Sequence, residues 1–150
     1  RAEVLHLGRF HGMAMQVGTM PLFSNAELLM ARFGTWPSFH DAEVIRIELS
    51  RSPDVAINME VYLFATSSQL DDRGYYRREK ESIVTFVFRG VQEVALRDFN
   101  EQNVLQELAI SRQEDGNFRV QIFASYGLNG SFLCASAEIA QVQQVELRTF

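Results

Sequence analysis

The stretch Val55-Ala56-Ile57-Asn58-Met59-Glu60-Val61-Tyr62-Leu63 decides the fold class of this chain, because it has the most regular alternation in the sequence. Every second residue from Val55 to Leu63 is a large apolar one. Successive side chains of a strand point to opposite faces of a sheet, so the stretch predicts a β-strand with one buried face. A shorter alternating run over residues 44–49 precedes it, across the turn-like sequence Ser52-Pro53-Asp54. The two runs together predict a β-hairpin.

Strand-like runs continue along the chain, after a polar, charge-rich loop predicted over Gln69–Glu81. The pairs Asp115-Gly116 and Asn129-Gly130 are strong hairpin signals, because a type I′ turn needs positive φ at both central residues. Consecutive strands that are joined by short turns pair antiparallel. The further predicted strands are 83–88, 91–96, 109–113, 118–126, 132–139 and 145–147.

Two helices are predicted beside these strands. Ser24 and Glu27 have the spacing of a capping box, and Gly34 is a typical helix terminator. The sequence Asp98-Phe99-Asn100-Glu101 offers caps for a second, short helix that would reach about Leu108.

The pattern therefore predicts a single α+β domain, mainly an antiparallel sheet of about seven or eight strands with two helices packed on one face. A length of 150 residues fits one domain with a core of its own. Residues 1–19 show no clear period, and we predict that they form a leader or a poorly defined N-terminal segment, with the domain spanning 20–150. A strand at Glu3–Leu7 is the alternative for the first residues.

Composition excludes several function classes. The net charge of −5 disfavours nucleic acid and anionic membranes as partners, and it is compatible with a basic protein partner. No run approaches the roughly 18 apolar residues of a membrane span, and the start lacks the order of a signal peptide. The single cysteine, Cys134, permits no internal disulfide and favours a reducing compartment, so we expect a cytoplasmic protein.

The sequence Phe39-His40-Asp41, with Glu43 nearby, is the densest cluster of groups capable of chemistry. Histidine and carboxylate are metal ligands, but a catalytic zinc site normally needs three protein ligands. Adjacent residues of an extended chain also point to opposite faces. We therefore favour a structural role, in which Asp41 caps or turns the chain and His40 hydrogen-bonds to backbone. A metal-dependent hydrolase centred on His40 and Asp41 stays the alternative.

Two other candidate sites are a possible nucleophile and a possible protein-binding segment. Cys134 lies in an apolar strand, where a buried and inert thiol is more common than a nucleophile. Tyr75, Tyr76, Arg77 and Arg78 lie in the predicted polar loop, and exposed tyrosine and arginine are enriched at protein–protein hot spots. The alternative for this loop is a solvated segment whose tyrosines lie down on the sheet.

Three blocks of the chain resemble one protein family. The stretch Phe33-Gly34-Thr35-Trp36-Pro37-Ser38-Phe39-His40-Asp41-Ala42-Glu43-Val44 resembles the N-terminal signature of the immunity protein 50 family, bacterial proteins predicted to neutralise polymorphic toxins. Residues 98–104 and 126–132 are similar to two later blocks, and the resemblance covers about residues 20–140. The positions that it singles out as motif or structural residues are Trp36, Pro37, Phe39, His40, Asp41, Phe99, Asn100, Asn103, Gly127 and Gly130.

The resemblance implies an α+β protein that binds and neutralises a cognate toxin domain in the bacterial cytoplasm, without catalysis and without a cofactor. We take Tyr75–Arg78 as the candidate partner-binding residues, within a contact loop from Leu70 to Lys80. A self-associating module, such as a homodimer, is a further alternative, because sheet edges can pair between copies.

Overall fold

The computed structural model describes residues 3–6 and 22–145 of the chain. Within these ranges one short helix accompanies nine strands, and the helix is neither long nor apolar enough to cross a membrane. The elements are β1 (Glu3–His6), α1 (Glu27–Phe33), β2 (Glu43–Ser50), β3 (Ala56–Leu70), β4 (Tyr76–Arg89), β5 (Gln92–Arg97), β6 (Val104–Arg112), β7 (Phe118–Tyr126), β8 (Asn129–Cys134) and β9 (Ser136–Gln144).

The strands form one antiparallel sheet that curls over its own core. Eight of them follow the order β5-β8-β7-β6-β2-β3-β4-β9, and β1 pairs with β6 beside this path. The rings of Phe88 on β4 and Phe132 on β8 are 4.9 Å apart, although β4 and β8 are far from each other in the sheet order. The two halves of the sheet therefore face each other across a shared interior.

Aromatic side chains fill that interior. A chain of ring contacts runs from Phe23 through Trp36, Phe39 and Phe86 to Phe88, with centroids 5.8–6.2 Å apart. All five side chains are buried. Trp36 and Phe39 precede β2, so their burial fixes the entry of the chain into the sheet. The abundant phenylalanine of the sequence is thus mostly core, and Phe64, Phe99 and Phe123 are the exceptions within residues 22–145.

The first hairpin confirms the prediction from alternation. Strands β2 and β3 pair with Ile47 opposite Met59 and Leu49 opposite Ile57. The predicted polar loop over Gln69–Glu81 is wrong, because β3 runs on to Leu70 and β4 begins at Tyr76. Polar residues dominate here because this end of the hairpin projects into solvent. Neither face of the two strands is buried there, so the sequence shows no alternation of apolar and polar residues.

The predicted second helix is also wrong. Residues 98–103 form an irregular connection, and β6 occupies Val104–Arg112. Asp98 has φ 65°, so the expected cap residue bends the chain in the left-handed region instead of starting a helix. Pairing with β7 along its length, and with β2 and β1 at its two ends, decides the extended conformation of β6.

Helix α1 exists, but the predicted capping box does not. Ser24 lies outside the helix and bridges β9: its N–H donates to the Ala137 carbonyl at 3.0 Å, and its carbonyl accepts from Ile139. Ala26 occupies the cap position without a side-chain cap. The expected end is confirmed, since Gly34 has φ 79° and its N–H donates to the Met30 carbonyl at 2.8 Å.

The last strands depart from prediction in detail. Asp115-Gly116 lies in the β6–β7 turn, as expected. Gly127-Leu128 forms the β7–β8 turn, so Asn129-Gly130 opens β8 instead of making the turn. The run predicted over 132–139 breaks at Ala135, where the chain leaves β8 and enters β9 on the other half of the sheet. Val145 follows β9 outside any strand, and residues 146–147 lie outside the described residues.

Candidate functional site

A tight turn presents His40 and Asp41 at the start of β2. Trp36 and Phe39 are 1% and 0% exposed and anchor the segment in the core. The N–H of Ala42 donates to the Phe39 carbonyl at 3.0 Å, and Asp41 has φ 69°. The N–H of Asp41 donates to the Leu105 carbonyl at 2.9 Å, which ties the turn to β6. The buried aromatics therefore hold an exposed polar pair at a fixed place.

The expectation that His40 and Asp41 point to opposite faces is wrong. Because Asp41 adopts a left-handed backbone conformation, His40 Nε2 lies 3.9 Å from Asp41 Oδ1, and both side chains are exposed. The His40 backbone N–H, rather than its ring, makes the local hydrogen bond, to Ser38 Oγ at 3.2 Å. Among the described residues no cluster of three or more metal-ligating side chains occurs. Nothing in this geometry advances the hydrolase alternative.

Asn103 joins the second and third family blocks. Its side-chain oxygen accepts from the N–H of Asn100 at 2.8 Å and from that of Leu128 at 3.0 Å. Its amide nitrogen donates to the Asn100 carbonyl at 2.9 Å. Gly127 packs directly against this contact, with φ 87°. Asn103 is buried whereas Phe99 is 51% exposed, so the two blocks form a structural joint with one exposed ring.

Asp71 shapes the tip of the β3–β4 hairpin. Its Oδ1 accepts from the N–H groups of Arg73 and Tyr75, both at 2.9 Å. The hydrogen bond from Tyr75, helped by that from Arg73 and by the charges of Arg73 and Arg77, lowers the pKa of Asp71 below its ordinary value. The turn leaves Tyr75 and Tyr76 exposed by 67% and 62%. The predicted contact loop is therefore an ordered hairpin tip.

We expect the hairpin tip to lose order in acid. A carboxylate whose folded pKa is depressed stabilises its structure above the unfolded pKa, and this stabilisation disappears as the pH falls through the folded pKa. The N–H resonances of Arg73 and Tyr75 should therefore shift together, with a midpoint below the ordinary Asp value of about 3.9. A pH titration by NMR measures this, and Asp71→Asn should abolish the transition. Asp72→Asn serves as the control, and a midpoint above about 3.9 would contradict the assigned hydrogen bonds.

Aromatic residues of β3 hold Arg78 beside this tip. Its guanidinium carbon lies 4.3 Å from the centroid of Phe64 and 5.8 Å from that of Tyr62. The Tyr62 hydroxyl donates to the Glu81 carboxylate, which restrains this ring. Arg73 likewise lies over Tyr75, at 5.9 Å. These contacts limit the conformations of two arginines that are otherwise exposed.

The turn, the hairpin tip and the second family block meet in one concave surface, here called the hairpin groove. Its volume is about 790 Å³. Strand β3 supplies its middle, because β3 lies between β2 and β4 in the sheet. The lining residues are Asp41, Glu43, Tyr62, Phe64, Thr66, Asp71, Arg73, Tyr75, Tyr76, Arg77, Arg78, Gln102 and Val104.

A second, smaller hollow of about 490 Å³ adjoins the hairpin groove. The two share Asp41, Phe64 and Thr66, and Trp36 and His40 lie in the smaller one. The Trp36 indole N–H is buried and has no hydrogen-bond partner among the described residues. The structure thus brings the predicted His40-Asp41 pair next to the predicted Tyr75–Arg78 segment.

The sequence did not single out Tyr62, Phe64 and Gln102 as site residues. Tyr62 and Phe64 lie on the face of β3 opposite to Val61 and Leu63, and Tyr62 is buried there whereas Phe64 is half-buried. Aromatic residues at the positions between the core residues of an alternating strand were the available signal, since these positions are usually polar. Gln102 gave no such signal, and only the pairing of β6 with β2 brings it to the groove.

Cys134 lies away from this site, on β8. It is buried, and burial raises the pKa of its thiol to about 12. The thiol is therefore protonated at neutral pH, whereas the thiolate is the reactive form of cysteine. These properties fit an inert core residue and do not fit the alternative of a nucleophile.

Comparison with known proteins supports the resemblance to one family. No curated protein and no solved structure matches the chain. The model of one family, immunity protein 50, matches residues 25–145, which include the helix, the His40-Asp41 turn, the hairpin tip and the Asn103 joint. A match over this much of the chain establishes the relationship, so the protein belongs to the immunity protein 50 family.

Proposed function

We propose that this protein binds a cognate toxin domain and blocks its active site, with no chemistry of its own. The observation that carries the proposal is the hairpin groove, where exposed tyrosines and arginines lie beside the His40-Asp41 turn. Tyrosine and arginine are enriched among the residues that dominate binding energy at protein interfaces. Membership of an immunity protein family supports a protein partner in general.

The rigidity of the tip favours binding over a role as a solvated loop. Asp71 holds the turn through two hydrogen bonds, and the ring of Phe64 restrains Arg78. Restrained side chains lose less conformational entropy when a partner binds. A specific inhibitor needs roughly 800 Å² of its surface at the interface. The hairpin groove with its projecting tip offers a contact of this kind on one side of the molecule.

We further propose that the partner is basic overall and that both proteins meet in the cytoplasm. A net charge of −5 attracts a basic domain and speeds encounter without adding a specific contact. The one cysteine is a buried free thiol, which suits a reducing compartment.

Capture followed by neutralisation tests the proposal. The wild-type protein, the variant Arg77→Glu/Arg78→Glu and the control Arg51→Glu/Arg97→Glu would each be used to retain proteins from native-host lysate. Both variants replace two arginines with glutamates, so they carry the same change of charge. The control arginines are exposed and lie outside the hairpin groove. Each captured protein would then be expressed alone and together with the wild-type chain.

The expected result is one basic protein, retained at near-equal stoichiometry by wild type and control and lost by the Arg77/Arg78 variant. It should arrest growth when expressed alone and become harmless with the wild-type chain. If every partner retained by the wild type is harmless when expressed alone, in lysate shown to contain toxin domains, the inhibitor function is wrong. Equal retention by all three proteins would instead remove the hairpin tip from the interface.

A further inference from the structure

One side of the hairpin groove carries positive charge that no ion pair of the described residues neutralises. This side, here called the arginine wall, consists of Arg73, Arg77 and Arg78. Arg46, on β2, contacts the carboxylates of Glu48 and Glu60 at 3.0 and 3.2 Å. Within the described residues no such ion pair involves the arginine wall.

The carboxylate of Asp71, two residues before Arg73, is already engaged by the backbone of the turn. Asp71 acts electrostatically on Arg73 and Arg77, but its Oδ1 accepts the backbone N–H groups of the turn. It therefore stabilises the tip without forming an ion pair with a guanidinium. Three cations in a chain of net charge −5 are thus left available to a partner.

The aromatic rings beside Arg73 and Arg78 leave the guanidinium N–H groups free to donate to a ligand. A guanidinium that lies over an aromatic face is attracted to that face, while its five N–H groups stay in its own plane. The contacts of Arg78 with Phe64 and of Arg73 with Tyr75 therefore hold the cations without consuming their hydrogen bonds. Such a fork matches two oxygens of one carboxylate or phosphate.

The charge on the opposite side of the groove, formed by β2, distinguishes a carboxylate ligand from a phosphate ligand. Asp41 and Glu43 lie there, and a continuous polyphosphate strand crossing the groove would meet their repulsion. A peptide does not carry charge at every position, and its backbone N–H groups and basic side chains can approach Asp41 and Glu43. The charge distribution therefore favours a peptide segment with spaced acids over a nucleic acid.

We infer that the hairpin groove binds a carboxylate-bearing segment of the toxin partner, with aspartate or glutamate side chains on the arginine wall. The inference rests on the proposed function for the identity of the partner. It is consistent with a partner that is basic overall, because net charge governs long-range encounter whereas adjacent groups govern the local contact.

Short capped peptides test this chemistry without the toxin. The probes are acetyl-Glu-Glu-Glu-Glu-amide and its uncharged match acetyl-Gln-Gln-Gln-Gln-amide, with inorganic phosphate and a thymidine hexanucleotide as the competing anions. NMR titration at low salt would follow the N–H resonances of residues 71–78 in the wild type. The variants are again Arg77→Glu/Arg78→Glu and the control Arg51→Glu/Arg97→Glu, with thermal melts to verify folding.

The glutamate peptide should bind at least about 10-fold more tightly than the glutamine peptide, as expected for charge-assisted pairs. Its affinity should fall about 10-fold or more in the Arg77/Arg78 variant and change less than about twofold in the control. Equal binding of both peptides, or an equal loss in both variants, overturns the inference. Tighter binding of phosphate or of the oligonucleotide also overturns it, in favour of a phosphate site. These results are independent of neutralisation, so either conclusion can fail without the other.

Discussion

Replacing Gly127 with alanine should unfold most of the protein at temperatures where the wild type is folded. A Cβ atom at this position would overlap the Gln102 carbonyl oxygen and lie 2.6 Å from Asn103 Oδ1. The Gln102 oxygen belongs to the backbone, and Asn103 Oδ1 belongs to the side chain that hydrogen-bonds to both Asn100 and Leu128. Relief therefore requires breaking the Asn103 hydrogen bonds, in addition to the strain of alanine at φ 87°. We expect a loss of more than about 4 kcal/mol in the free energy of unfolding.

Gly116 provides the matched control for this substitution. It has φ 91°, close to that of Gly127, but a Cβ atom added there would meet nothing within 4 Å beyond its two chain neighbours. Gly116→Ala should therefore cost only the backbone strain, about 1 to 2 kcal/mol. Urea unfolding followed by circular dichroism compares the two variants. Equal losses would mean that the close approach at Gly127 contributes nothing beyond backbone conformation.

Truncation of Phe39 should be nearly as damaging. The side chain is fully buried, and its ring lies 6.2 Å from that of Trp36 and 5.8 Å from that of Phe86. Phe39→Ala removes these contacts and leaves a cavity, which typically costs about 3 to 5 kcal/mol. Since Phe39 precedes the His40-Asp41 turn, partner binding should weaken together with stability.

Phe99→Ala serves as the comparison, because Phe99 belongs to the second family block but is 51% exposed. Its truncation should change the free energy of unfolding by no more than about 0.5 kcal/mol. Thermal melts and urea unfolding of both variants measure the difference. A small loss for Phe39→Ala would show that the motif's aromatic residues do not anchor the turn.

The parts of the fold that depend on local pattern were predictable. The β2–β3 hairpin follows from the alternation of residues 55–63, and the end of α1 from Gly34. The second part of β6 lies in the strand predicted over 109–113, but its first part is predicted as a helix, because Leu105, Leu108 and Ala109 repeat at the spacing of a helix face. Its neighbours in the sheet are distant in sequence, and their pairing outweighs this local preference.

The candidate site was predictable residue by residue but not as an arrangement. His40, Asp41 and the Tyr75–Arg78 segment each stood out by composition. Their meeting depends on long-range register, in which Glu43 lies opposite Tyr62 and Arg78 opposite Thr66. No spacing in the sequence encodes that register directly, since it results from packing of the buried faces.

The position of β9 at the outer side of β4 also sets when the β3–β4 hairpin gains its second neighbour during translation. Arg89 ends β4 and Gln144 ends β9, so 55 residues must be added after the hairpin before its partner strand is complete. At about 5 to 20 residues per second this takes roughly 3 to 11 s. During that interval the β4 edge of the nascent hairpin has no β9 beside it, and Ser24 has no strand to bridge. The outer edge of the β3–β4 hairpin therefore stays unpaired for seconds while the chain is made, and an unpaired strand edge can pair with another chain.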